Sequence, residues 1–345
     1  MAKPIRVLMT GGGAPGAPGI IRCLKADVDV ILFVGDANPT AFGKFLNDKF
    51  VVLPKATEGV FTDFVLNYCV ENDINVVFPL VTLELFRFAE VKDIFEAKGI
   101  KIIVSERESL EIANNKSRLY EHLKRKGILT PNFEVVKRGD FEGLLSAFKN
   151  LNYPNQPIVV KPSVSNGSRG VRIVNDSIDK LNLLFNFKPN SLYISFVELS
   201  EILRGSDFPE LLVSEYLPDE EYTVDTIVEN GKPKIILPRW RKKTNGGISV
   251  EGQFIENQEI IEYCRQIINS LNLDGPIGIQ VKKGLDGRFK ILEINPRIQG
   301  TSVAAMGLGI NLPLSIVHQI VGKPTIFPEI KWGLSFSRFY DEVYY

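Results

Sequence analysis

Apolar positions in the first hundred or so residues come in short runs, each followed by a polar turn and then an amphipathic stretch. The runs at 5–9, 28–34, 50–53, 76–78 and 102–104 read as strands, and the stretches at 18–24, 60–72 and 83–97 read as helices. The first helix has a proline, Pro18, near its start, where proline is tolerated. Strand and helix in alternation predict right-handed βαβ units and a parallel sheet. Ser105-Glu106-Arg107-Glu108 has capping-box spacing, which predicts a new helix and a domain boundary there. Helices are expected at 108–113 and 116–126, stopped near Gly127 and Pro131. Beyond them the strands lengthen and pair as hairpins, with helices around 140–150 and 260–271. The pattern changes from α/β in residues 1–105 to α+β in residues 106–345.

Composition narrows the function. Lys+Arg and Asp+Glu balance at 41 each, so no global field attracts nucleic acid or anionic membranes. Cys23, Cys69 and Cys264 lie far apart, which suits neither a disulfide framework nor a zinc site and fits a reducing cytosol. The start lacks the apolar run of a signal peptide, and no stretch approaches the ~18 apolar residues of a membrane span. A cytoplasmic protein with neither nucleic acid nor membrane as partner is expected. His122 sits among charges and His318 in an apolar helical stretch, so both read as structural. Chemistry then falls to carboxylates, Lys, Arg and a metal they hold.

Four motifs could carry it. Thr10-Gly11-Gly12-Gly13 and the glycines that follow lie directly after the first strand. They could form a tight turn near a substrate, a dinucleotide site with Asp36 on the ribose, or another anion site. The second motif is an apolar strand ending in Lys161, followed by a loop of Ser163, Ser165, Asn166, Gly167, Ser168, Arg169 and Gly170. Small residues let backbone amides approach phosphate oxygens while Lys161 and Arg169 add charge; a solvated hairpin tip is the plainer reading. The third runs Glu215-Tyr216-Leu217 into the acidic bend before Glu221, where a strand end could read adenine and a carboxylate could bind ribose. A solvated acidic turn explains it as well.

The fourth motif is a hairpin, 277–283 against 289–295. If Asp286-Gly287 is a two-residue loop, Gln280 stands opposite Glu293, and Asn295 shares their face. Three oxygen donors among apolar neighbours suit Mg²⁺ bound with substrate phosphates; an exposed polar sheet face would look similar. Arg297 follows directly in Pro296-Arg297.

In this order the motifs resemble the ATP-grasp superfamily, and within it a single synthetase unit of the carbamoyl-phosphate synthase large subunit. Glu293-Ile294-Asn295-Pro296-Arg297 is the most specific piece. The resemblance spans nearly the whole chain and implies a pre-ATP-grasp domain over 1–105, then a two-lobed ATP-grasp fold with a mobile lid lobe about 130–215. It implies ATP as cofactor, with Lys161 on adenine and α-phosphate and residues 163–170 over the phosphates. Glu215, Tyr216 and Leu217 would hold adenine, and Glu221 ribose. Arg118 would reach the phosphates. Gln280, Glu293 and Asn295 would surround two Mg²⁺ ions, with Mn²⁺ able to substitute, and Arg297 would stabilise the transferred phosphoryl group.

The chain departs from the carbamoyl-phosphate synthase pattern in being about one unit rather than two, in showing no glutaminase, and in one segment. The segment after the ribose strand, Pro238-Arg239-Trp240-Arg241-Lys242-Lys243, lacks the histidine that carbamoyl-phosphate synthase units usually carry there. Arg239 and Arg241 are expected to share a strand face and hold an anionic acid, a solvated basic run being the alternative. The expectation is an ATP-dependent carboxylate–amine ligase working through an acyl phosphate on small-molecule substrates, with a homodimer suggested by the family. Alternatives are an enzyme that phosphorylates carbamate or a small acid, an NAD(P)-linked oxidoreductase using the first glycine loop, and a catalytically silent ATP sensor.

Overall fold

The structure is a computed structural model describing residues 3–165, 167–189 and 191–344. Its contacts divide the chain into two compact units: residues 1–111, 222–279 and 294–345, and residues 112–221 with 280–293.

The first unit begins with β1 (Ile5–Thr10), α1 (Ala17–Leu24), β2 (Val30–Asp36), α2 (Gly43–Leu46), β3 (Phe50–Val52), α3 (Phe61–Glu71), β4 (Val76–Phe78), α4 (Thr82–Glu96), β5 (Lys101–Ile102) and α5 (Arg107–Asn114). The strands form one sheet in the order β3-β2-β1-β4-β5, all pairs parallel, as the βαβ pattern predicts. Its two faces differ by parity. Val7 and Met9 enter one core with Ile20 and Leu24 of α1, while Leu8 enters another with Phe61 and Phe88 of α3 and α4.

The capping box fails. Ser105 does not cap α5; its hydroxyl donates to the Asp274 carbonyl at 2.7 Å and accepts the Asp274 N–H at 2.8 Å. Ser109 likewise reaches the Asn272 carbonyl at 3.0 Å. Residues 105–109 are thus tied to the loop near 273, which explains why the first compact unit runs past residue 105.

The second unit holds α6 (Lys116–Arg125), β6 (Phe133–Val136), α7 (Phe141–Asn150), β7 (Ile158–Pro162), β8 (Arg172–Val174), α8 (Lys180–Asn186), β9 (Tyr193–Ile194), α9 (Phe196–Leu203) and β10 (Leu211–Glu215). Its sheet runs β6-β10-β7-β8-β9 over a core that includes Leu144, Phe148, Val160 and Val213. The chain returns to the first unit with β11 (Glu221–Glu229), β12 (Lys232–Asn245), β13 (Ile248–Phe254) and α10 (Gln258–Leu271). β14 (Gly275–Lys283) and β15 (Phe289–Asn295) run on from one unit into the other, and α11 (Leu312–Ile320) and β16 (Ser335–Ser337) complete the first. The third sheet is ordered β15-β14-β11-β12-β13-β16. Among the described residues no single helix is long and apolar enough to cross a membrane.

Candidate active site

In the second unit, β7 pairs antiparallel with β10, placing Lys161 beside Leu212. Lys161 is buried. Its ammonium donates to the Tyr120 hydroxyl and to the Leu292 carbonyl, each at 3.3 Å, and stands 5.2 Å from the centre of the Tyr120 ring. Tyr120 in turn donates to the Ile291 carbonyl at 2.7 Å. Burial, reinforced by the like charge of Lys116, pulls Lys161 down to about 8, against the carboxylates of Glu293 and Glu221. The direct hydrogen-bond partners of Lys161 are a hydroxyl and a carbonyl, both uncharged.

Lys116 is a site residue that reading the sequence missed. It is buried, its backbone N–H donates to Ser163 O at 2.8 Å, and its ammonium donates to Ser165 O at 3.0 Å. The same ammonium lies 3.4 Å from Glu293 Oε2. Ser117 Oγ meets Ser163 Oγ at 2.6 Å, so the start of α6 holds the start of the loop after β7. A signal was present. Lys116, Leu119, Tyr120 and Leu123 fall on one helical face and all are buried, so this lysine stands on a core stripe. Arg118, the residue expected at the phosphates, lies on the exposed face of the same helix.

In the loop, Ser163 is buried and Ser165 half-buried, while Gly167, Ser168, Arg169 and Gly170 are exposed; Asn166 lies outside the described residues. Gly167, Ser168 and Gly170 all have positive φ. At Gly170 a Cβ would also meet the Pro162 ring at 2.7 Å, so glycine is required there.

Glu215 ends β10 with its carboxylate already engaged: Lys290 donates to it at 2.7 Å and the Asn132 N–H at 2.9 Å. Leu217 is buried, Lys282 stands 5.4 Å from the Tyr216 ring centre, and Glu221 opens β11, half-buried.

The hairpin closes differently from the expected two-residue loop. Gly284 N–H donates to Arg288 O and Gly287 N–H to Gly284 O, so Leu285, Asp286 and Gly287 form a three-residue loop with Gly287 at φ +76°. Asp286 stabilises it by accepting the Arg288 N–H at 3.2 Å and pairing with Arg288 and Lys290. The convergence of Gln280 on Glu293 therefore loses its geometric basis. Glu293 and Asn295 remain two residues apart in β15, both half-buried. No three His, Cys, Asp or Glu side chains cluster among the described residues. One carboxylate and one amide oxygen fit Mg²⁺, which keeps waters and takes phosphate oxygens, better than they fit a metal needing a full protein cage.

In the first unit, Arg239 is fully buried. Its Nε and Nη2 pair with Asp225 Oδ2 at 3.2 and 3.1 Å, and Nη2 also donates to Thr301 Oγ1 at 2.8 Å. Arg241 donates from Nε to Ser249 Oγ at 3.1 Å and from Nη2 to the Gly247 carbonyl, stitching β12 to β13. The strand does continue through both arginines, and both guanidinium groups make hydrogen bonds within the protein, while Arg239 Nη1 is buried without a hydrogen-bond partner among the described residues. Arg239 neutralises a buried aspartate, and Ser302 Oγ donates to the other Asp225 oxygen at 2.6 Å. Together they pin the segment after the Glu-x-Asn-Pro-Arg motif. Arg297 donates from Nε to Thr82 Oγ1 at 3.3 Å, at the first residue of α4.

The first glycine loop is closed on itself. Asp36 accepts the N–H of Gly13 and of Asn38, each at 2.7 Å, so its carboxylate is engaged by the loop itself rather than presented to a ribose. This is the tight-turn reading.

The chain resembles known proteins over much of its length. Residues 9–103 match the family model "PylC-like, N-terminal domain", and residues 207–338 match "ATP-grasp in the biosynthetic pathway with Ter operon". The chain is 27% identical over 220 residues to the carbamoyl phosphate synthase large chain of Thermoplasma acidophilum, covering 61% of this chain and 19% of that one. It is 22% identical over 302 residues to the carbamoyl-phosphate synthase of Methanobrevibacter smithii, covering 85% of this chain and 75% of that one. The chain thus spans about a fifth of the first relative and three quarters of the second. Among solved structures, an N5-carboxyaminoimidazole ribonucleotide synthetase in complex with ADP superposes with TM-score 0.70 at 16% identity, over 94% of this chain and 78% of that one. An L-amino acid ligase from Bacillus licheniformis superposes with TM-score 0.68 at 16% identity, over 93% and 75%. Residues 207–338 thus match an ATP-grasp family model, and the chain resembles a synthetase unit of carbamoyl-phosphate synthase.

Proposed function

We propose that the protein is an ADP-forming carboxylate–amine ligase that activates its acid as an acyl phosphate. The observation that carries this reading is the buried cation pair Lys161 and Lys116, set beside Glu293 under a loop of small residues. Lys161 donates directly to a hydroxyl and a carbonyl, the Glu293 and Glu221 carboxylates act on it by their charge, and nucleotide phosphates would give both ammonium groups direct anionic partners. Lys161 takes the α-phosphate, Lys116 a phosphate nearer the loop, and the amides of residues 163–170 cover the chain of phosphates. Because the Glu215 carboxylate is engaged by Lys290 and Asn132, adenine is read by backbone groups near Leu217, and ribose by Glu221. Glu293 and Asn295 would hold Mg²⁺, two ions by family resemblance, with Mn²⁺ able to substitute. The metal supplies neutralisation of the transferring phosphoryl group. Gln280 enters only through the resemblance. Arg297, oriented by Thr82, is the cation assigned to the acyl phosphate. Small-molecule substrates and a dimer remain part of the same reading, as does a cytoplasmic location.

The test is an ADP-release screen with Mg-ATP over paired carboxylic acids and amines. Release that requires both partners is expected. Release dependent on an acid alone, with no amide product under any amine, would reduce the function to acid phosphorylation.

A further inference from the structure

We propose that α8 joins two copies of this chain, its outward apolar face packing on the same face of the second copy across a two-fold axis. The helix is patterned against its surroundings. A surface helix turns its polar residues outward. In α8 no residue is buried, and Leu183 alone is half-buried, so Leu183 marks the inward side. Leu181, Leu184 and Phe185 stand at i, i+3 and i+4 and form one stripe on the opposite side. They are 69%, 70% and 74% exposed, and Phe187, directly after the helix, is 55% exposed.

The polar residues of the helix leave this stripe bare. Asn186 Nδ2 donates to Asn182 Oδ1 at 2.8 Å, which ties the two together along one flank. Asp179 caps the helix, accepting the Asn182 N–H at 2.9 Å.

Area selects the occupant. A stable interface between two copies buries about 800 Å² on each, somewhat more than half of it apolar. At roughly 200 Å² for a fully exposed large side chain, these four present on the order of 500 Å². An equal stripe on a second copy therefore supplies the apolar part of such an interface without further residues. Charge fits the same arrangement. A two-fold axis through the middle of the stripe runs α8 antiparallel to its copy, and Leu181 then faces Phe185 of the second copy. Asp179, just before the helix, comes level with Lys188 of the second copy, just past it. The two helix dipoles also run in opposite directions. The symmetry repeats each contact, as an isologous interface requires. α8 belongs to the unit that carries Lys116 and Lys161, so the contact joins the copies through that unit, and it stands independently of the ligase reading.

The test is sedimentation velocity of the full chain from about 1 to 100 µM. A dimer is expected at the upper end, because interfaces of standard size hold at about micromolar concentration or below. Leu184→Glu should weaken the dimer at least roughly 100-fold, since each copy then presents a buried charge to the other. The same variant should melt within about 2 °C of the wild type, because the side chain has no buried contacts to lose. Cys23, Cys69 and Cys264 are buried, so an added surface cysteine reports alone. Leu184→Cys, beside the axis, should cross-link to its copy with a short bismaleimide, whereas Glu142→Cys, exposed on α7, should not. A wild type that stays monomeric at about 100 µM overturns the proposal. A dimer that survives Leu184→Glu, or that fails to cross-link through Leu184→Cys, uses another face and overturns it as well. A monomer that floats with phosphatidylglycerol vesicles, and stops doing so in Leu184→Glu, assigns the stripe to a lipid surface and overturns the pairing.

Discussion

Lys116 Nζ lies 3.4 Å from Glu293 Oε2, and the same ammonium donates to the Ser165 carbonyl at 3.0 Å. One buried lysine thus connects the β15 carboxylate to the loop after β7. Charge-assisted hydrogen bonds are worth about 1.5–3 kcal/mol, so Lys116→Met should weaken binding of a non-hydrolysable ATP analogue by roughly 10- to 100-fold. Arg118→Met, on the exposed face, should change it less than about threefold. Titration calorimetry of both variants separates the two residues. Hydrogen exchange in residues 163–170 should also rise in Lys116→Met before any nucleotide is added.

Lys161 should take up a proton when nucleotide binds. Burial holds it at about 8, below its ordinary value of 10.5, and a phosphate beside it favours the charged form. At pH 8.5 roughly 0.7 of a proton should be taken up per analogue bound, read from calorimetry in buffers of different ionisation enthalpy. Lys161→Met should abolish the buffer dependence. An unchanged buffer dependence in that variant would place the proton elsewhere.

Glu84, buried and hydrogen-bonded by Thr10, has a consequence for stability. Its folded value of about 7 lies above its ordinary 4.5, so the folded state binds the proton more tightly than the unfolded chain. Stability from this group is present below about 4.5 and is lost as pH rises to about 7, by on the order of 3 kcal/mol. Glu84→Gln should flatten that part of the urea-unfolding profile and raise the melting temperature at pH 8 relative to wild type.

Arg239 should behave as a structural cation. Removing one partner of a buried ion pair costs about 3–5 kcal/mol, so Arg239→Met should lower stability by that order. Adding Asp225→Leu should recover much of it, since no uncompensated charge then remains. Urea unfolding of the single and double variants is the check. A single variant as stable as wild type would leave Arg239 free for substrate after all.

Much of the fold was legible because its signals are local. β4 matches its predicted span, 76–78, and α1, α3 and α4 fall within about a residue of theirs, since apolar period and turn residues fix them without tertiary help. What failed was decided by partners distant in sequence. Ser105 has capping-box spacing, but Asp274, 169 residues away, takes its hydroxyl. Asp286-Gly287 favours a two-residue turn, yet Asp286 gains Arg288 and Lys290 by closing a longer one. Arg239 and Arg241 look like a basic run because Asp225 and Ser249 are invisible along the strand. Lys116 was legible in principle from its place on an apolar stripe, and Arg118 drew attention only because its charge is permanent and exposed. Glu84 gave no signal: a glutamate in the first turn of a helix is ordinary until β1 brings Thr10 onto it.

The most direct test of acyl-phosphate chemistry is isotope transfer. The acid found in the screen is labelled with ¹⁸O in both carboxylate oxygens and turned over with Mg-ATP and its amine, and the released phosphate is analysed by mass. Activation through an acyl phosphate predicts one ¹⁸O in each phosphate released, and none in ADP. Phosphate carrying no label, alongside amide product, would contradict it.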